Sequence, residues 1–334
     1  MLLCMQLWRK PAYERLLSYL KELEVKPLVW GVDATTPEEI MSYEASESRD
    51  RREIIRFLSS VISSNLTWIE GEDQREEIWA TASRRLAERC GRTAMGEITR
   101  QFPFTVENRN GMFYLTIREP PITGDSLGLK TWGSSYVLAK LLPQLAQEYL
   151  SHTDLGAKRV LELGSGTGLL GLAAACFWNT HVTLTDLPAI MPNLVYNVES
   201  NRDTAMVWSG DGGDVDTGVL TWGNRDDTDT RFHTHHQFEV VMAADPLYDD
   251  NHPTLLAGAI HEQLALGQSA RALVMVPYRD EVTRKLARTL REQLLLQEAP
   301  LACIAERMVT GQDDWGDGDE GQHVDCWLGI FQRQ

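Results

Sequence analysis

Apolar residues recur along the first hundred positions at intervals of three and four, the spacing that lines one face of an α-helix. Tyr13, Leu16, Leu17, Leu20 and Leu23 form one stripe, and Ile54, Ile55, Leu58, Val61 and Ile62 a second. Ile78, Trp79, Ala82 and Leu86 form a third, with Gly91 as a C-terminal stop. Phe104-Thr105-Val106 and Met112 to Ile117 flank the turn signal Asn108-Arg109-Asn110-Gly111, which predicts a hairpin, and Pro120-Pro121 marks a boundary. The pattern predicts a mainly helical N-terminal domain over residues 1–122 that ends in a β-hairpin.

From residue 123 the pattern alternates between short apolar runs and helical stripes, which predicts an α/β domain over 123–334 with a mostly parallel sheet covered on both faces. Strands are expected at Arg159 to Leu163, His181 to Thr185, Ala205 to Trp208, Phe238 to Ala243, Ala270 to Val276, Ala302 to Val309 and Val324 to Gln332. In a doubly wound sheet of this kind a ligand sits beyond the carboxyl ends of the strands.

One junction carries most of the chemistry. Val160-Leu161-Glu162-Leu163 runs into Gly164-Ser165-Gly166-Thr167-Gly168, where missing Cβ atoms let the backbone turn sharply and approach a ligand, and Leu169 to Phe177 continues as an apolar helix. Gly166-x-Gly168-x-x-Gly171 satisfies the dinucleotide fingerprint, and Asp186 stands where an acid would hold ribose hydroxyls, so NAD is a competing ligand. Glu162 separates the two. A carboxylate beside a pyrophosphate gains nothing, whereas S-adenosylmethionine has no phosphate and carries a sulfonium and an ammonium group, both cations.

Three further segments surround this cradle: Gly128-Leu129-Lys130-Thr131-Trp132-Gly133-Ser134, Leu220-Thr221-Trp222-Gly223 and Ala243-Ala244-Asp245-Pro246-Leu247-Tyr248. Together with Glu162 to Gly168 and Thr185-Asp186 they resemble methyltransferase family 16, the seven-strand lysine methyltransferases that modify elongation factors and chaperones. The likeness covers about residues 123–334, and the segment from Ser83 to Thr93 is most similar to the fungal members that methylate elongation factor 2. The resemblance implies a class I methyltransferase fold, a Rossmann-like seven-stranded sheet whose last strand is antiparallel. It implies cofactor contacts at Trp132, Gly164, Ser165, Gly166, Asp186, Trp222 and Ala244, to which the residue chemistry adds Glu162. It also implies a folded protein as substrate, with translation elongation factor 2 favoured.

Asp245 and Tyr248 are the candidate catalytic residues. Methyltransferases that act on planar amide-like nitrogens place Asn at the position of Asp245, and an ionised Asp accepts hydrogen bonds without donating, which suits an amine. Free lysine has a pKa of roughly 10.4, so its nitrogen is protonated at neutral pH, and burial between aromatic walls lowers that value. Asp245 alone would raise it, so Asp245 is assigned to docking the ammonium and Tyr248 to shaping the slot.

Composition narrows the partners. A net charge of −16 disfavours a nucleic-acid backbone, which binds through Lys and Arg. Acidic stretches Asp211 to Asp216, Asp245 to Asp250 and Asp313 to Glu320 are expected to follow strand carboxyl ends and to gather charge on the active-site rim, where a basic patch of a protein would dock. The five scattered cysteines form no CxxC pair and fit a reducing, cytoplasmic setting, and no apolar run suggests a membrane span. His233-x-His235-His236 lacks further residues at ligand spacing, so no metal is expected. The competing readings are an NAD oxidoreductase, a methyltransferase of another protein or a small molecule, and a catalytically silent adaptor.

Overall fold

The three N-terminal stripes fold as helices because each buries its apolar side against the others. In the computed structural model, which describes residues 5–24, 53–89, 96–106, 111–121, 127–150, 158–209, 213–313 and 322–334, these are α1 (Tyr13–Glu22), α2 (53–62) and α3 (Glu72–Ala87). Leu16, Leu20, Leu58, Val61 and Ile78 are fully buried in their shared core. Arg85 and Arg89 of the Ser83–Thr93 segment turn inward: Arg85 Nε donates to Leu20 O at 3.1 Å and Arg89 Nη2 to Leu23 O at 2.6 Å. Two cations thus satisfy carbonyls at the negative end of α1. Gly91 and the turn over 107–110 lie outside the described residues.

The hairpin forms as β1 (Ile98–Val106) and β2 (Gly111–Glu119). The chain divides into two compact units, one of residues 1–98, 120–123 and 314–322 and the other of 99–119, 124–313 and 323–334, so the hairpin clusters with the sheet and not with the helices. Side chains of the sheet unit show why. Its helix α6 (Met191–Ser200) presents Asn193, Asn197 and Asn201 to β2. Asn201 Oδ1 and Asn197 Oδ1 accept from the Thr116 and Arg118 amides at 2.8 and 2.9 Å, and the three Nδ2 groups donate to the Thr116 and Arg118 carbonyls. The asparagines stand in for a neighbouring strand. Asn197 also donates to Thr167 O in the glycine cradle at 3.0 Å. Asn197→Ala is therefore expected to destabilise the protein by about 2–4 kcal/mol, read as a lower urea midpoint, because buried backbone groups lose their partners.

The sheet contains β3 (Arg159–Leu163), β4 (His181–Asp186), β5 (Val215–Val219), β6 (Val240–Ala244), β7 (Arg271–Pro277), β8 (Leu301–Asp313) and β9 (Gln322–Arg333). Their order is β5-β4-β3-β6-β7-β9-β8, parallel except that β9 runs antiparallel to β7. This is the class I methyltransferase sheet. Helices α4 (Gly133–Tyr149), α5 (Leu169–Trp178) and α7 (Arg202–Ser209) pack together, as do α8 (His252–Gln263) with α9 (Glu281–Leu295). Strand order reverses between β3 and β6, which opens a crevice at their carboxyl ends.

Two expectations need correction. Ala205 to Trp208 is the helix α7, not a strand. Its apolar residues serve two directions: Ala205 is buried and Trp208 packs on Phe113, while Met206 and Val207 face solvent. The true third strand, Val215-Asp216-Thr217-Gly218-Val219, is too polar to be seen by hydrophobicity, being stabilised by pairing with β4. Consequently the described part of the Asp211–Asp216 stretch leads into and begins a strand, with Val215 and Asp216 inside β5. Asp214 lies 3.7 Å from His181 at the start of β4, at the amino end of the sheet and away from any carboxyl-end rim. Asp314 to Glu320 lie outside the described residues.

Candidate functional site

The cradle after β3 turns through three alternate left-handed glycines, with φ of 69° at Gly164, 55° at Gly166 and 89° at Gly168. A Cβ at Gly168 would meet Leu194 at 2.7 Å, so sterics as well as backbone conformation demand glycine there. Ser165 pins the turn to β4: its amide donates to Thr185 O at 2.9 Å, and its Oγ accepts from the Thr185 amide at 3.0 Å. Asp186, the last residue of β4, accepts the Gly166 amide on Oδ2 and the Leu187 amide on Oδ1, both at 2.7 Å. Burial pushes its carboxyl up to about 6, against the pull of these two amides.

Glu162 lies deeper, 2% exposed, and its Oε2 accepts the Gly171 amide in the first turn of α5 at 2.9 Å. Desolvation pushes it up to about 8. Hydrogen bonds from Ser165 and Gly171 oppose the shift, and the neighbouring Asp186 charge adds to it.

These groups open onto one cavity of about 250 Å³ at the carboxyl ends of β3, β4 and β6. Trp132, Glu162, Gly164, Ser165, Gly166, Asp186, Trp222, Ala244, Asp245 and Tyr248 all line it, so the structure brings together the candidate cofactor and catalytic residues named from the sequence. Trp222 lies against the cradle, where a Cβ on Gly164 would touch its ring at 3.2 Å. Trp132, directly before α4, anchors its indole N–H on Leu127 O at 3.1 Å. Lys130 Nζ and the Arg279 guanidinium lie 4.6 and 4.9 Å from its ring centroid. Ala244 ends β6.

Two side chains that sequence reasoning passed over lie against Tyr248 and Asp245. His252, four residues after Tyr248, packs edge-on to the Tyr248 ring at 4.2 Å and to Trp222 at 6.0 Å, and burial holds its imidazole below the ordinary value. Arg279 grips both oxygens of Asp245, Nη1 to Oδ1 at 3.0 Å and Nη2 to Oδ2 at 2.5 Å. The first had a faint signal, the four-residue spacing at a helix start. The second had none, since residues 245 and 279 meet only because β6 and β7 are neighbours.

Cys176 is buried in α5, and desolvation pushes its thiol up to about 12, leaving it protonated and packed. No group of three or more His, Cys, Asp or Glu that could hold a metal ion occurs among the described residues, and no described helix is long and apolar enough to cross a membrane.

A family model described as lysine methyltransferase matches residues 113–293. Over 261 residues the chain is 35% identical to the protein-lysine N-methyltransferase EFM2 of Saccharomyces cerevisiae, covering 73% of this chain and 58% of that protein. It is 32% identical over 257 residues to the protein-lysine N-methyltransferase rrg1 of Schizosaccharomyces pombe, covering 77% and 76% of the two chains. Identity to the protein N-lysine methyltransferase METTL21A of Danio rerio is 30% over 168 residues, covering 50% and 68%. The chain thus spans little more than half the length of the budding-yeast relative and three quarters of the fission-yeast one.

Proposed function

The chain belongs to the lysine methyltransferase family, and from that membership and the chemistry of its cavity we propose that it methylates the ε-amino group of a lysine in a folded protein. S-adenosylmethionine, when bound, supplies an electrophilic methyl group on a sulfonium. The cavity fits such a ligand: its wall carries the carboxyl groups of Glu162 and Asp186, which suit a cation and ribose hydroxyls. Asp186 uses one lone pair on each oxygen for backbone amides and keeps the others for the hydroxyls. Trp132 and Trp222 offer flat walls, the Gly164–Gly166 backbone the close approach, and Ala244 the clearance.

At the open end Tyr248, 60% exposed, and His252 form an aromatic edge over which a lysine side chain can extend toward the cavity. Asp245 lies beside it and orients the amine. The gathering of these acceptor-side residues and the cofactor-side residues around a single cavity is the observation that carries the reading. Elongation factor 2 is the favoured acceptor, supported by the likeness of the Ser83–Thr93 segment to fungal members that modify it, and the cysteine usage supports a cytoplasmic setting.

Purified protein should be stabilised in a thermal shift by S-adenosylhomocysteine and not by NADH. With labelled S-adenosylmethionine it should methylate lysine in purified elongation factor 2, read by mass spectrometry. Stabilisation by NADH alone would return the cradle to the dinucleotide reading. Cofactor binding without any labelled protein acceptor would leave an adaptor.

A further inference from the structure

Asp245 occupies an unusual position. It is the first residue past β6, held at φ 56° in the left-handed region, with its amide donating to Met275 O at 2.9 Å. Its side chain is only 6% exposed, and both oxygens face the guanidinium of Arg279, two residues beyond the end of β7. That guanidinium is itself stacked 4.9 Å from the centroid of Trp132. A bidentate fork locked by an aromatic plane on one side and a strained backbone on the other fixes the carboxylate plane.

Electrostatics gives this fork a chemical consequence. A bare carboxylate beside a lysine favours the ammonium form, whose nitrogen has no free lone pair, so it would bind the acceptor well in the unreactive state. The Arg279 guanidinium offsets the charge of the carboxylate toward the slot. A carboxylate oxygen carries two lone pairs, so one that accepts from a guanidinium can also accept from an amine N–H.

We propose that Arg279 is a positioning residue for methyl transfer: it fixes the Asp245 carboxylate as an orienting acceptor and offsets its charge, so that the acceptor lysine can shed its proton in the slot. The inference rests on the lysine methyltransferase reading above. The ammonium proton leaves to water at the open end beside Tyr248. The nitrogen lone pair so freed forms the new N–C bond as the methyl–sulfur bond breaks, and the electrons of that bond stay on sulfur.

Other charged and titratable groups surround the pair, and most act outside the relevant range. Asp280, next to Arg279, is committed to the α9 amino end, accepting the Thr283 amide at 2.8 Å. His252, held below its ordinary value, is already neutral above pH 7, and Asp186 titrates at about 6. Lys130 lies across Trp132. Glu162, at about 8, does titrate within the range but is common to wild type and variants, and burial holds the Tyr248 phenol above its ordinary value. A shift between wild type and variant therefore isolates the pair.

The test follows kcat with purified elongation factor 2 and S-adenosylmethionine both saturating, from pH 6 to 9.5, in wild type, Arg279→Ala and Arg279→Lys, because kcat reports groups in the bound complex. In Arg279→Ala the rising limb should move up by about one pH unit or more, with kcat lost more than KM. Arg279→Lys restores the charge and should return the limb close to its wild-type position, with lower turnover because the planar fork is gone. A loss in Arg279→Ala that is uniform across pH, or a limb that Arg279→Lys fails to restore, would overturn the proposal. A wild-type protein that methylates no lysine would instead overturn the methyltransferase reading itself.

Discussion

Asp186→Ala is expected to weaken binding of S-adenosylhomocysteine by about a hundredfold or more, measured by calorimetry at pH 7.5. The carboxylate has two duties there. It is the acceptor proposed for the ribose hydroxyls, whose loss alone is worth on the order of 1.5–3 kcal/mol in a partly buried cleft. It also holds the Gly166 and Leu187 amides at 2.7 Å, so its removal leaves the cradle without the bonds that shape it. The pH dependence gives an independent signature. Burial places this carboxyl at about 6, so it is ionised and accepting above pH 7. Below about pH 6 wild-type affinity should decline more steeply than above it, as protonation of this carboxyl removes the acceptor. Wild-type affinity in the alanine variant would refute the assignment.

Why this residue was visible in the sequence, and Arg279 was not, follows from what each depends on. Asp186 is reached through local features: an apolar strand, a glycine turn and a second apolar strand of matching length, which place an acid opposite the cradle in any parallel pair. Glu162 was visible likewise, beside a strand end, whereas Trp132 and Trp222 came from the family resemblance. Arg279 acts through Asp245 across two neighbouring strands, and nothing in the stretch Pro277-Tyr278-Arg279-Asp280 marks it as different from a surface turn. The edge strand β5 was lost for a related reason. Val215 to Val219 gains its order from one ladder with β4, so its polar sequence carries little of the alternation that betrays a half-buried strand. Ala205 to Trp208 showed the reverse error, since four apolar residues in a row fit a buried strand or a helix that packs on more than one element. The hairpin was recognised by its turn, but its attachment to α6 depends on side-chain amides imitating a strand, which no periodicity records.

Glu162 offers the largest effect on stability, and its sign is opposite to that of an ordinary carboxylate. Its folded-state pKa, about 8, lies above the ordinary 4.5 because the side chain is sealed in the core of the cradle. The folded protein therefore binds a proton that the unfolded chain releases at any pH between these values. The associated stabilisation is complete below pH 4.5 and is lost as pH rises toward 8, with a slope approaching about 1.4 kcal/mol per pH unit. Over the whole window the loss approaches roughly 4–5 kcal/mol as an upper figure. Glu162→Gln retains a carbonyl oxygen for the Gly171 amide and has nothing to titrate, so urea unfolding without ligand should show the variant gaining on wild type steadily from pH 5 to pH 8. The same group should register ligand binding. An ammonium or sulfonium placed near a carboxyl that is protonated at pH 7 favours its ionisation, so S-adenosylhomocysteine binding should release protons from wild type at that pH. Calorimetry in buffers of differing ionisation enthalpy reads that release directly, and it should be absent in Glu162→Gln. Parallel stability profiles for the two proteins would show that Glu162 is already ionised in the folded state, and that the cradle, rather than the ligand, supplies its counter-charge.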